Sequence, residues 1–395
     1  MDSKMTALEQ VFNCIKEKQN FVLQGGAGSG KTESLKQVIE HISSNYPGKK
    51  IACITHTNLA VDEIKSRINN AHTICTIHSF INDLIKNYKK NLHEVIGDIF
   101  KLKKIDSTEY ADYKKKYEKY ASSFHSILGE TVARVVGKRD YDKRAVECNT
   151  KLNADIDNLN SEIERRVIEK DYNQVRYNET RFDSFSDLSF GHDSLLQIAS
   201  YIFERYPLLL KILQDKYDFI FVDEYQDTNK SIIDIFINKI PTGSKTTIGL
   251  FGDSMQGIYD DGIGDVEDYI KSGLLKKVDK HDNYRCSEQI VEFINQLRVD
   301  GLKQEVALKS KNGVVEAKSN RQGEVKLYYS IYNGTRTESG NPQDKEDYLR
   351  YLNSVIEYVV ERHTGFKKLM LTNKSIASEV GFENLYNVFN DRYVE

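Results

Sequence analysis

Eight consecutive residues, Gly25-Gly26-Ala27-Gly28-Ser29-Gly30-Lys31-Thr32, follow the spacing G-x-x-x-x-G-K-[ST]. Each residue type has a chemical reason to be there. Glycines let backbone N–H groups curl around a phosphate where a Cβ would clash. Lys31 can reach β- and γ-phosphate oxygens, and the Thr32 hydroxyl can ligate Mg²⁺. The expected ligand is therefore Mg·ATP, held by Gly25 through Thr32. A second signal is the apolar run Phe219-Ile220-Phe221-Val222, which ends in Asp223-Glu224. By itself an apolar run followed by two carboxylates marks many strand ends. Beside a phosphate loop it reads as the other half of an ATPase site. Asp223 then holds Mg²⁺ through water, and Glu224 polarises the attacking water as general base.

These residues need elements that hold them. Phe21-Val22-Leu23 is a short apolar run that leads into the glycine loop, and it predicts a buried strand. Leu35, Val38, Ile39 and Ile42 recur at helical spacing after it, so a helix N-terminus points its positive end at the phosphates. Ile51 to Ile54 predicts a second strand, followed by a helix carrying Ala60, Ile64 and Ile68. Phe219 to Val222 and Ile248 to Phe251 add two more strands. Strands alternating with helices imply a parallel α/β sheet with ligands at its carboxyl edge.

The chain has 395 residues, 39% hydrophobic and 29% charged, which fits two to three globular domains at about 150 residues each. No apolar run approaches the roughly 18 residues of a membrane helix, and residues 1–10 lack the pattern of a secretory signal. A cytoplasmic protein with no membrane partner is expected. Cys14, Cys53, Cys75, Cys148 and Cys286 are scattered without metal-ligand spacing, which predicts reduced thiols. The net charge of −3 gives no global attraction to nucleic acid, although charge can be segregated on one face.

Beyond this, Asp223-Glu224-Tyr225-Gln226-Asp227-Thr228 resembles the DE[FY]QDT box of the UvrD/Rep/PcrA group of superfamily 1 DNA helicases. Other boxes stand in the family's order. Gln10, about fifteen residues before the phosphate loop, resembles the glutamine that reads the adenine edge. Thr55-His56-Thr57-Asn58-Leu59-Ala60-Val61-Asp62-Glu63-Ile64 is similar to the T-x-T-N-x-A-x-x-E-[MI] box, and Thr76-Ile77-His78-Ser79-Phe80 to T-x-H-[SG]-F. Gly252-Asp253-Ser254-Met255-Gln256-Gly257-Ile258-Tyr259 resembles GD-x-x-Q-[SA]-I-Y, and Asn283-Tyr284-Arg285 resembles N-[YF]-R. Leu371-Thr372-Asn373 falls where the first box of a second motor domain belongs.

The resemblance implies a RecA-like first motor domain (residues 1–83 plus 191–300) interrupted by a helical insertion (84–190). The start of a second RecA-like domain (322–395) follows. Gln256 and Arg285 join Lys31 and Glu224 as catalytic candidates, with Tyr284 and Arg285 on the nucleotide. Thr55, Thr57, Asn58, His78, Phe80 and Tyr259 are the candidates for nucleic acid. The family's later T-x-H-x-x-K-G-E and Y-V-A-x-T-R-A boxes are not found in these residues, so the chain reads as the N-terminal portion of such a motor. The insertion is either a solvated helical hairpin or coiled coil, from the spacing of Ile156, Leu159 and Ile163, or a DNA-facing domain using Lys101, Lys103, Lys104, Lys114, Lys115 and Lys116.

The implied function is an ATP-dependent helicase or translocase, moving 3′ to 5′ on single-stranded or tailed duplex DNA in repair, recombination or phage defence. It would associate with the nucleoid when working. A second reading keeps the ATP site and drops the motor. The chain is then an ATP-binding sensor or regulatory subunit of a nuclease partner, motivated by Asp260-Asp261 after Tyr259 and by the unfound arginine box.

Overall fold

In a computed structural model of the chain, the described residues are 5–66, 72–257, 262–311, 314–334, 342–363 and 373–393, with residues 365, 367 and 369. They fall into two compact units, Met1–Glu324 and Val325–Glu395.

The first unit opens with helix α1 (Ala7–Lys16), started by a capping box between Thr6 and Glu9. Strand β1 (Phe21–Gly25) leads into α2 (Lys31–Asn45), β2 (Ile51–Thr55) into α3 (Asn58–Lys65), and β3 (Thr73–Thr76) into α4 (Ile77–Ile85). Four helices follow: α5 (Lys89–Phe100), α6 (Tyr110–Leu128), α7 (Lys138–Tyr141) and α8 (Ala145–Glu169). Short strands β4 (Arg176–Tyr177) and β5 (Ser189–Phe190) pair in parallel before α9 (His192–Arg205) and α10 (Leu208–Lys216). The chain then runs through β6 (Phe219–Asp223), α11 (Lys230–Lys239), β7 (Thr247–Gly252), α12 (Glu267–Lys271) and β8 (Lys276–Lys280). Strand β9 (Asp282–Asn283), α13 (Glu288–Leu297) and β10 (Glu305–Val306) complete the part that bears on the site.

Six strands form one parallel sheet in the order β3-β2-β6-β7-β1-β8. β1, β2, β6 and β7 are buried along their whole length, which is why they read as unbroken apolar runs. Their side chains alternate between two cores. Val22, Ala52, Ile54, Ile220 and Val222 face one core, shared with α4, α9, α11 and the inserted helices. Phe21, Leu23, Ile51, Cys53, Phe219 and Phe221 face the other, under α1, α2 and α3. The two strands that sequence periodicity missed, β3 and β8, are the sheet's edges. Each buries a single residue, Ile74 or Val278, so neither carries an apolar run.

The insertion is helical, and α8 presents Leu152, Ile156, Leu159, Ile163 and Val167 as one buried stripe. Asn153 and Asn160, seven residues apart on that helix, each bond both N–H and C=O of a residue in the preceding segment, Ile105 and Leu102. Several of its lysines are engaged locally: Lys101 with Asp98 and Glu164, Lys104 with Asp157, Lys114 with Glu118, and Lys116 with the Lys103 carbonyl. That leaves them poorer phosphate ligands than their number suggests.

The second unit contains α14 (Pro342–Arg362), α15 (Asn373–Val380) and α16 (Glu383–Tyr393). Residues 325–329 have no regular structure, and among the described residues of this unit no strand lies alongside to take their backbone groups. Leu371 and Thr372 lie outside the described residues.

Candidate nucleotide and nucleic-acid site

Apart from Gln10 in α1 and the Leu371-Thr372-Asn373 box, the motifs read from the sequence lie at or just past the carboxyl end of a sheet strand, where ligands bind in folds of this class. β6, β7 and β1 are neighbours, so Asp223-Glu224, Gly252-Asp253 and the glycine loop lie side by side. β8 flanks β1 and leads into Asn283-Tyr284-Arg285, while β2 and β3 on the other flank carry Thr55–Asn58 and Thr76–Phe80.

The glycine loop lines a cavity of about 310 Å³ together with Lys31, Thr32, Glu33, Lys36, Glu63, Glu224 and Arg285. Gly28 and Gly30 take positive φ (82° and 78°), and a Cβ at Gly28 would fall 2.7 Å from the Arg285 Cβ. Gly30 caps α2, so the helix N-terminus opens into the cavity. Lys31 is buried and donates to the Gly25 carbonyl at 3.0 Å, lying folded across the loop. The loop is braced from β9. Asn283 Nδ2 donates to the Ala27 carbonyl at 2.9 Å, and the Tyr284 N–H donates to Gly28 O at 2.8 Å. Asn283 Oδ1 in turn accepts from the N–H groups of Arg285 and Cys286 at 3.0 and 2.8 Å. Sequence reasoning used Tyr284 and Arg285 and missed Asn283, because its role is to the loop backbone.

Asp223 ends β6 at 4% exposure, and its Oδ1 has no hydrogen-bond partner. Burial, then the adjacent Glu224 charge, push its carboxyl up to about 7, against the pull of Lys31. A buried carboxylate oxygen without a partner, beside a lysine and a glycine cradle, suits a divalent cation on a polyphosphate. The unpartnered buried Ser29 hydroxyl suits a further phosphate oxygen. Glu224 stands in the left-handed region (φ 51°), an uncommon geometry for a non-glycine residue, and lines the cavity.

Behind this cavity is a buried polar network. Gln226 donates to Glu224 Oε2 at 2.9 Å while its Oε1 accepts from the Asp253 N–H at 3.0 Å. Asp253 Oδ2 accepts from Gln256 Nε2 at 2.7 Å. Tyr225 donates to Gln24 Oε1, and Gln24 donates to Ser254 Oγ, both at 2.6 Å. Gln256 is thus three hydrogen bonds from the cavity-lining Glu224, by way of Asp253 and Gln226, and is not itself among the residues lining the cavity. Nor is Gln10, whose side chain donates to Met5 O at 3.2 Å.

The nucleic-acid candidates divide. Thr57 and Asn58 are exposed at the start of α3, with the Thr57 hydroxyl capping the helix. His78 is half-buried and meets His192 edge-on at 5.0 Å. Thr55 is buried, its hydroxyl donating to Thr57 O at 3.1 Å, so it shapes the turn and cannot touch a strand directly. Phe80 is 3% exposed and packs against Tyr217 and Phe236, which corrects its assignment as a contact to nucleic acid. Three residues into α4 its ring points down into the core, away from the sheet edge. Tyr259 lies outside the described residues.

The chain is similar to several known proteins. Residues 6–269 match the family described as the UvrD/REP helicase N-terminal domain. The chain is 31% identical to the Gabija protein GajB of Bacillus cereus (strain HuB5-5), over 98% of this chain and 59% of that protein. It is 26% identical to the ATP-dependent DNA helicase PcrA of Staphylococcus epidermidis (strain ATCC 12228 / FDA PCI 1200), over 70% of this chain and 37% of that protein. Among solved structures it is similar to unliganded Pif1 from Bacteroides sp., at 14% identity and TM-score 0.27, covering 75% of this chain and 45% of that one. The chain therefore spans well under two thirds of the length of these curated relatives. On its boxes, its parallel sheet and its match over residues 6–269, the chain belongs to the UvrD/REP helicase family.

Proposed function

We propose that this chain binds and hydrolyses Mg·ATP at the carboxyl edge of its sheet and uses the cycle to move along single-stranded DNA, 3′ to 5′. The observation that carries the reading is the convergence of Lys31, Thr32, Glu224 and Arg285 on one cavity, with the unpartnered oxygen of Asp223 next to Glu224 and within electrostatic reach of Lys31. In this reading the glycine loop cradles the phosphates. Lys31 leaves the Gly25 carbonyl for the β- and γ-oxygens, and Thr32 and Asp223 hold the metal. Bound Mg²⁺ supplies charge neutralisation on the transferred phosphoryl group. Glu224 accepts the proton of the attacking water, and Arg285 at the rim faces the γ-phosphate. Thr57 and Asn58 follow β2, the neighbour of β6, and His78 follows β3, one strand beyond, so a strand held along that edge adjoins the Asp223-Glu224 side of the site. The 84–190 insertion and the second unit serve as accessory and second motor domains.

Purified protein should show ATPase activity that single-stranded DNA stimulates. Lys31→Ala should lower nucleotide affinity by about 10- to 100-fold, the worth of charge-assisted bonds to phosphate. An ATPase rate indifferent to DNA would refute the motor. A second reading, an ATP-binding regulatory subunit of a nuclease complex, draws on the burial of Thr55 and Phe80, which thins the expected DNA contacts. Unwinding of a tailed duplex by the protein alone would exclude it.

A further inference from the structure

Arg298 stands just after α13, outside every motif read from the sequence, yet it is 5% exposed in its side chain and holds two carboxylates. Its NH1 and NH2 donate to the two oxygens of Asp253 at 3.0 and 2.7 Å, a bidentate fork, and its NH2 and NE reach Asp300 at 2.5 and 3.0 Å. Asp253 is itself almost fully buried. Both of its oxygens and its N–H are committed. Oδ2 accepts from Gln256 Nε2, and Oδ1 accepts from the Met255 N–H at 3.2 Å. The backbone N–H donates to Gln226 Oε1. That last bond decides which way the Gln226 amide faces, because with Oε1 on Asp253 its Nε2 must turn to Glu224. Asp253 is therefore a common support: its carboxylate holds the catalytic candidate Gln256, and its backbone N–H holds Gln226, which in turn bonds the side chain placed as general base.

We propose that Arg298 is a positioning residue for ATP hydrolysis: by clamping Asp253 it sets Glu224, through Gln226, and Gln256 in register with the phosphate cavity. The inference rests on the nucleotide reading of that cavity and adds to it a residue and a route. The route has a physical basis in the fork. A guanidinium fixes both the position and the plane of a carboxylate, which a point charge such as a lysine ammonium does not. Without the fork the Asp253 carboxylate can rotate and Gln256 with it, and the Asp253 backbone N–H that holds Gln226 loses its side-chain anchor. Misplacement of a catalytic group by about 1 Å is enough to cost about 10²-fold in rate. The chemistry fits a positioning role, since Arg298 does not line the cavity and its guanidinium is bonded to the carboxylates of Asp253 and Asp300.

The test compares wild type with Arg298→Lys, Arg298→Met and the double variant Asp253→Asn/Arg298→Met. Three readouts are taken: affinity for a fluorescent ATP analogue with Mg²⁺, kcat and KM of DNA-stimulated hydrolysis, and Tm. Arg298→Met is expected to leave analogue affinity and KM within about 3-fold while kcat falls about 10²-fold, with Arg298→Lys between it and wild type. The double variant removes the charges of Arg298 and Asp253 and leaves Asp300 as the one carboxylate without its guanidinium. It should recover most of the Tm lost in Arg298→Met, since the more deeply buried carboxylate no longer stands unpaired, and should still hydrolyse slowly. If the double variant regains both Tm and kcat, Arg298 is only a structural ion pair and the proposal is overturned. A loss of analogue affinity in step with kcat would overturn it equally. A wild type that binds no nucleotide would instead remove the reading on which it rests.

Discussion

Asp223 concentrates the electrostatic cost of the site in one side chain. Its carboxyl is raised from 3.8 to about 7, first by burial and then by Glu224. In the metal-free protein it keeps a proton that the unfolded chain releases. The associated stability is complete below the ordinary carboxylate range and is lost as pH rises through about 7. Over that span, at about 1.4 kcal/mol per pH unit, the loss is on the order of 4 kcal/mol. Asp223→Asn should therefore raise the Tm of the nucleotide-free protein, by more at pH 8 than at pH 5, while removing the Mg²⁺-dependent gain in ATP affinity. Scanning calorimetry at the two pH values reads the first effect, and equal shifts at both would contradict a buried, unpaired carboxylate. Asn283 makes the opposite case, a buried neutral side chain hydrogen-bonded at both its oxygen and its nitrogen. Asn283→Ala removes one bond to the loop and two to its own turn. At about 1 kcal/mol each, some of them retained through water, nucleotide affinity should fall by about 10-fold. Titration with a fluorescent ATP analogue measures it.

Helix α4 shows how an element can redirect a motif. Thr76 caps it, accepting from the Ser79 N–H at 3.4 Å, and the turn then carries His78 toward the sheet edge and Phe80 into the core. Phe80→Ala should cost about 3–5 kcal/mol of stability through the cavity it leaves. At a temperature where both proteins are folded, affinity for a labelled single strand should be unchanged. Selective loss of strand binding with Tm preserved would restore Phe80 as a contact residue. The same reasoning applies to Thr55, which ends β2 and spends its hydroxyl on the turn to α3.

At the scale of the whole molecule, the inserted helices and the sheet share one continuous apolar core, in which Leu152, Ile156 and Leu159 belong to the same cluster as Val22, Ile220 and Leu250. The insertion is built into the first unit. Residues 1–324 should accordingly unfold in a single cooperative transition that includes the insertion and should bind Mg·ATP analogues as the full chain does. Limited proteolysis followed by thermal melting of the product checks this. Two separated transitions within 1–324 would show the insertion to be an independent domain.

Much of the site was readable because phosphate chemistry imposes local spacing. The glycine loop, the Asp223-Glu224 strand end and the Asn283-Tyr284-Arg285 turn are each contiguous in the chain, and their strands β1 and β6 are buried on both faces and so announce themselves as apolar runs. The sequence by itself determined the parallel α/β sheet and the family. What escaped it depends on residues far apart in the chain. Edge strands β3 and β8 hide because each buries one side chain. Arg298 meets Asp253 across 45 positions. Burial of Phe80 depends on Tyr217 and Phe236, contributed by later elements. Tertiary structure alone decided which motif residues face a ligand and which face the core, because orientation at a strand end is set by whatever packs beneath it.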